Sequence, residues 1–199
     1  HYRKLIYSKD ELREIVLELP NAQDRAMVWL LFHGVTGKKL HELVNLKYED
    51  VNFNTKTIVI RNRFDNLTQK HIDKVVRVDD ETLELLENAY KETTYRNNYE
   101  DVSTEGRLWE SPYLLKKTVS PRGNSETCLS PSVIMVRMNK IKTFFELEHF
   151  TTKQIEQSGA IHMAYDLVVN QQKYKGLETE LYQEVGAYYN STVIREPSV

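Results

Sequence analysis

The sequence predicts an α+β fold that is mainly α-helical and carries a small antiparallel sheet. Apolar residues recur at helical spacing in several separate stretches, two β-branched alternating runs lie close together before the middle of the chain, and no internal repeat or low-complexity tract competes. With 199 residues, 40% of them hydrophobic and 28% charged, the chain is long enough to bury a proper core. Collagen, coiled coil and wholesale disorder are excluded.

Ser8 with Glu11 forms a capping box, and Leu12, Ile15, Val16 and Leu19 follow at helical spacing until Pro20 ends the run. Asp24 is placed to cap a second helix, whose apolar character from Ala26 to Phe32 implies burial on most sides before Gly34 stops it. A third helix follows, with Leu40, Leu43, Val44 and Leu46 on one stripe, and turn chemistry begins at Tyr48. Thr57 to Arg63 and Lys74 to Val78 read as a β-hairpin, and strict alternation puts Thr57, Val59, Arg61 and Arg63 on one face. Asp79 to Tyr90 is an amphipathic helix with acids in its first turn, where the helix dipole favours them. From about Thr93 to Thr127 the pattern is weak, and loops with short elements are expected. Ser130 then Pro131 opens a further helix, Thr151 with Gln154 caps another, and a last helix lies around Leu177 to Tyr189.

Charge is segregated along the chain, although the total is only -2. Lys56 to Arg77 holds six bases against two acids and Arg107 to Lys153 eight against four, whereas Asp79 to Glu105 holds nine acids against two bases. Patches rather than sums bind polyanions, so the two basic runs are the candidate surface. The single cysteine, Cys128, cannot close an intramolecular disulfide, and no apolar run reaches a membrane span of about 18 residues. A protein of the cytoplasm, without membrane association, is expected. The chain begins at His1 without an initiating Met, which suggests the C-terminal part of a longer protein. No glycine-rich phosphate loop, paired-cysteine zinc spacing or His-Glu-x-x-His signature is present, so neither a cofactor nor a metal is expected. His33 and His41 read as ordinary histidines, and Gly159 after Ser158 reads as a point of close helix packing.

The order of these parts resembles the catalytic domain of the tyrosine recombinases, the phage-integrase family, from about Asp24 to Tyr189. Glu42-Leu43, Leu46 and Asp50-Val51 stand where that family has a Glu-Leu, a Leu and an Asp-Ile or Asp-Val, and Ile155 with Ser158-Gly159-Ala160-Ile161 gives a second anchor. The resemblance implies the recombinase catalytic fold over residues 1–199. It also implies DNA cleavage by a Tyr nucleophile, helped by two Arg, a Lys and two His that stabilise charge and move protons. The first Arg falls on Lys39, and the His-x-x-Arg box falls on Lys153 and Glu156. The second His falls on Ala187, the nucleophile falls near Glu196, and the hairpin Lys is either Lys70 or Lys74. Lys39 keeps a charge but loses the bidentate fork of Arg. A carboxylate at Glu156 puts repulsion where a phosphate's negative charge builds. Tyr182, Tyr188 and Tyr189 lie near the end of the chain and read as packing residues.

These departures predict a recombinase fold kept for binding double-stranded DNA after catalysis was lost, as in recombinase-derived phage lysogeny repressors. The expected DNA-contacting residues are Lys38, Lys39, Arg61, Arg63, Lys70, Lys74, Arg122, Ser130, Ser132, Arg137 and Lys153. The alternatives are a divergent active recombinase and a protein-interaction module. The closing segment VIREPSV is a candidate for self-association.

Overall fold

The computed structural model describes residues 6–174 and 176–189. Helix α1 (Lys9–Glu18) starts at Ser8, whose hydroxyl accepts from Glu11 N while the Glu11 carboxylate accepts from Ser8 N. Helix α2 (Ala22–Phe32) is buried almost all round, from Ala26 to Phe32, and packs against α1, α3 (His41–Asn45), α4 (Asp80–Lys91) and α6 (Thr152–Tyr165). Its N-terminus corrects the expected cap. Asn21 precedes the helix without a side-chain cap, and the free amides of Ala22 and Gln23 donate to the Glu92 carboxylate at 2.9 and 2.8 Å. Asp24 lies inside the first turn, fully buried, where the phenols of Tyr95 and Tyr99 donate to it.

Strands β1 (Val51–Asn52), β2 (Thr57–Asp65) and β3 (Lys70–Arg77) form an antiparallel sheet in that order. Register runs from Thr57 opposite Arg77 to Ile60 opposite Lys74, slips, and resumes with Arg63 opposite Ile72 and Asp65 opposite Lys70. Asn62, at φ 56°, makes that bulge, a left-handed conformation that Asn tolerates better than a β-branched residue would. The extra residue reverses the parity of the strand, so Arg63 joins Ile58 and Ile60 on the buried face. Arg61 and Arg63 therefore do not share a face, which corrects the alternation argument.

The weakly patterned segment contains a second hairpin, β4 (Thr94–Asn98) with β5 (Asp101–Arg107). Most of its residues are exposed and polar, and it is moored by Tyr95 and Tyr99. Helix α5 (Pro131–Phe144) follows Ser130 with proline in its first turn, as expected. Helix α6 begins at the Thr151–Gln154 capping box and presses Gly159 against the end of α2, where a Cβ would overlap the Phe32 carbonyl. Helix α7 (Glu178–Tyr189) packs on α6 through a small cluster that includes Ala160, Val185 and Tyr189. Among the described residues no helix is long and apolar enough to cross a membrane.

Candidate nucleic-acid interface

The start of α3, the β2–β3 hairpin, α6 and the end of α7 converge on a cleft of about 640 Å³. The chain reaches it through a strained turn: Gly37, Lys39 and Leu40 all have left-handed backbone, at φ 74°, 54° and 58°. This turn leaves Lys38 and Lys39 exposed and turns Glu42 inward. The hairpin contributes Arg63, which the Asn62 bulge has turned to the same interior.

Glu42 and Arg63 form a buried ion pair. Arg63 Nη2 stands 2.7 Å from Glu42 Oε1 and Nε donates to the same carboxylate at 3.0 Å. The rest of the guanidinium donates to backbone carbonyls, Gly34 O at 2.9 Å and Tyr188 O at 2.6 Å. One side chain thus ties β2 to α3, to α7 and to the turn that follows α2. Lys74 adds a second tie, donating from Nζ to Ala187 O, and burial together with the neighbouring Arg63 pushes its pKa down. Tyr189 adds a third, since its hydroxyl donates to Phe32 O at 2.7 Å and its ring lies on Gly34, where φ is 76° and a Cβ would be 2.6 Å from the ring. Burial raises the pKa of both Tyr188 and Tyr189, so each phenol is held neutral.

Glu156 lines this cleft beside Glu42, Arg63, Lys38, His41 and His71. Ser158, two turns from the Thr151 cap, accepts from Tyr7 N at 2.9 Å and donates to Gln154 O. The cleft therefore brings together Lys38, Arg63 and Glu156, with Lys74 and Ala187 touching behind it. Lys39 and Lys153 are exposed nearby in sequence on the same two elements, and Lys70 is exposed at the tip of the hairpin. None of Lys38, Lys39, Lys70 and Lys153 is held in an ion pair with a described residue. Glu196 and the VIREPSV segment lie outside the described residues.

Two expected contact residues are corrected by burial. Arg63 is 2% exposed and committed to Glu42. Arg137 is 3% exposed, lies over the Tyr95 ring at 4.4 Å and donates to Lys116 O at 2.9 Å. Arg61 is exposed but shared between Asp50, at 2.5 Å, and Asp73, at 3.4 Å, which offsets much of its charge. Arg122, Ser130 and Ser132 are exposed, with the two serine hydroxyls 2.7 Å apart at the start of α5. His41 is an exposed residue of the cleft beside Asn45, whereas His33 is enclosed by Trp29, Phe32 and Thr82, and burial pushes its pKa down to about 4. Sequence reading missed the cleft roles of Asn62 and His71. The available signal was an Asn interrupting an alternating strand.

Comparison with known proteins agrees with this geometry. A solved structure of XerA recombinase superposes on the whole chain and on 62% of its own length with a TM-score of 0.62, at 14% identity, which establishes the fold. Tyrosine recombinase XerA of Pyrococcus horikoshii is 30% identical over 156 residues, 78% of this chain and 46% of its own. The SPbeta prophage-derived uncharacterized protein YopR of Bacillus subtilis is 31% identical over 172 residues, 83% of this chain and 50% of its own. The chain thus spans about half the length of the relatives it matches in sequence. A family profile described as "MrpR, C-terminal catalytic domain" matches residues 6–198, and the chain belongs to that recombinase-derived family.

Proposed function

We propose that this chain, as the C-terminal domain of a longer protein, binds specific sites on double-stranded DNA as a catalytically inactive, recombinase-derived repressor of the phage lysogeny type. The observation that carries this reading is Glu156 in the cleft. The resemblance assigns that position to a catalytic Arg, and a carboxylate there, beside a second carboxylate already using Arg63, repels the charge that phosphoryl transfer must stabilise. Ala187 can offer only its backbone at the position of the second His, and its carbonyl already accepts from Lys74. The neighbouring phenols are held neutral, with that of Tyr189 donating to Phe32 O. Around the cleft, exposed Lys38, Lys39, Lys70 and Lys153 supply positive charge for a phosphate backbone, with Arg122, Ser130 and Ser132 as further contacts.

The test is retention of genomic fragments of the source organism by the protein, with affinity followed between about 50 and 200 mM salt. A recurring short element bound with a steep salt dependence is expected. The double reversal Lys39→Glu with Lys153→Glu should weaken that binding and flatten the salt slope by about two. Unchanged binding by the double variant would move the DNA to another face. The family description names a catalytic domain, and a covalent protein–DNA adduct after incubation with nicked duplex, seen under denaturing conditions, would favour a divergent active recombinase instead.

A further inference from the structure

The most exposed large apolar side chain among the described residues is Leu67, 80% exposed at the tip of the β2–β3 hairpin. Single exposed leucines are ordinary on protein surfaces, so its setting decides. The tip is locked from within. Asp65 accepts from Thr68 Oγ at 2.6 Å and from Thr68 N at 3.1 Å, Gln69 N donates to Asp65 O, and Gln69 Nε2 donates to Asn66 O. The one acid of the turn is thus folded inward, and the outermost residues, Asn66 to Gln69, carry no charge. Behind them stand exposed Lys70 and a shoulder of Phe64 and Ile72, 38% and 41% exposed, with His71 edge-on to Phe64.

We propose that Leu67 is a wedge that enters the DNA minor groove, parts a base step and bends the bound duplex. The inference rests on the DNA-binding reading above and names the side chain that would shape its target. Groove dimensions favour one side chain over the whole ribbon. The two strand backbones are themselves about 4.8 Å apart, and the minor groove is only about 6 Å wide, so strands with side chains do not fit while a projecting leucine does. Neutral Asn66, Thr68 and Gln69 flank it without the desolvation cost of a charge, while Lys70 reaches a phosphate. Apolar side chains inserted at base steps act in this way elsewhere, kinking DNA by tens of degrees.

The experiment uses the intact chain and a duplex made from one retained genomic fragment, with a fluorophore at each end and a fluorescent base analogue along the site. Leu67→Ala should lower affinity about tenfold and relax the bend by tens of degrees, with loss of the unstacking signal. Leu67→Met should keep both. Lys70→Gln should lower the salt slope by about one and leave the bend in place. A bend unchanged in Leu67→Ala overturns the wedge, whether affinity falls, as for a thymine-methyl contact in the major groove, or does not, as for a side chain that meets no DNA. If the wild-type chain retains no duplex at any salt, the DNA-binding reading falls first and takes the wedge with it.

Discussion

Glu42 and Arg63 meet at 2.7 Å beneath the cleft, whereas Asp24 and Arg137, equally buried, stand 4.0 Å apart where α2 faces α5 and the β4–β5 hairpin. Both pairs consist of a carboxylate and a guanidinium out of reach of water, yet they are satisfied differently. Glu42 and Arg63 satisfy each other, and Arg63 spends its remaining donors on Gly34 and Tyr188. Asp24 takes its hydrogen bonds from Tyr95, Tyr99 and Asn21 instead, and Arg137 gives its best one to Lys116 O. Burial raises the pKa of both Tyr95 and Tyr99, which keeps them as neutral donors. A short pair is a single joint between elements. A long pair is two residues in one network, each with other partners.

The largest effect is therefore expected at the short pair. Arg63→Ala strands a buried carboxylate and frees the carbonyls that hold the end of α7, so it should cost about 3–5 kcal/mol by urea unfolding. Replacing both residues, Glu42→Leu with Arg63→Met, should recover a substantial part, because no uncompensated charge remains. At the long pair the asymmetry runs through the acid. Asp24→Ala leaves two buried phenols short of an acceptor and should cost about 3 kcal/mol, while Arg137→Ala leaves Asp24 fully hydrogen-bonded and should cost about 1–2 kcal/mol. Equal costs for Arg63→Ala and Arg137→Ala would break the distinction between joint and network.

That distinction also separates what was legible in the sequence from what was not. Helices α1, α4 and α6 and the first hairpin are local matters: Ser8 with Glu11, Asp79 with Thr82 and Thr151 with Gln154 act within one turn, and periodicity names the buried faces. The failures lie where a distant partner decides. Asp24 looked like a cap because its residue type suits one, but Tyr95 and Tyr99 claim it from 71 and 75 residues away. Arg63 looked solvent-facing because strict alternation was assumed, and one left-handed Asn reversed the parity. For Arg137 a signal was present, since it shares the i, i+3, i+4, i+7 stripe with Ile134, Met138 and Ile141, all buried. The hairpin β4–β5 left no such trace, because its mooring is two tyrosines in a run of Asn, Thr and acids. The resemblance to recombinases located the cleft through Glu42 and Glu156, but not the Arg63 joint that organises it.

The smallest effect sharpens the comparison at the joint itself. Tyr189 shares the attachment of α7 with Arg63 and Lys74, through a hydrogen bond to Phe32 O and a ring seated on Gly34. Tyr189→Phe keeps the ring and removes only the hydroxyl, leaving Phe32 O without that donor. A loss of about 1 kcal/mol in unfolding free energy is expected, well below that of Arg63→Ala. Affinity for a retained DNA fragment should not change, because the hydroxyl points into the fold and not into the cleft. A loss near that of Arg63→Ala would mean that the helix is held by the phenol and that the ion pair is secondary. An unchanged stability with lost DNA affinity would instead place the hydroxyl at the ligand, and the fully committed geometry of Tyr189 argues against that outcome.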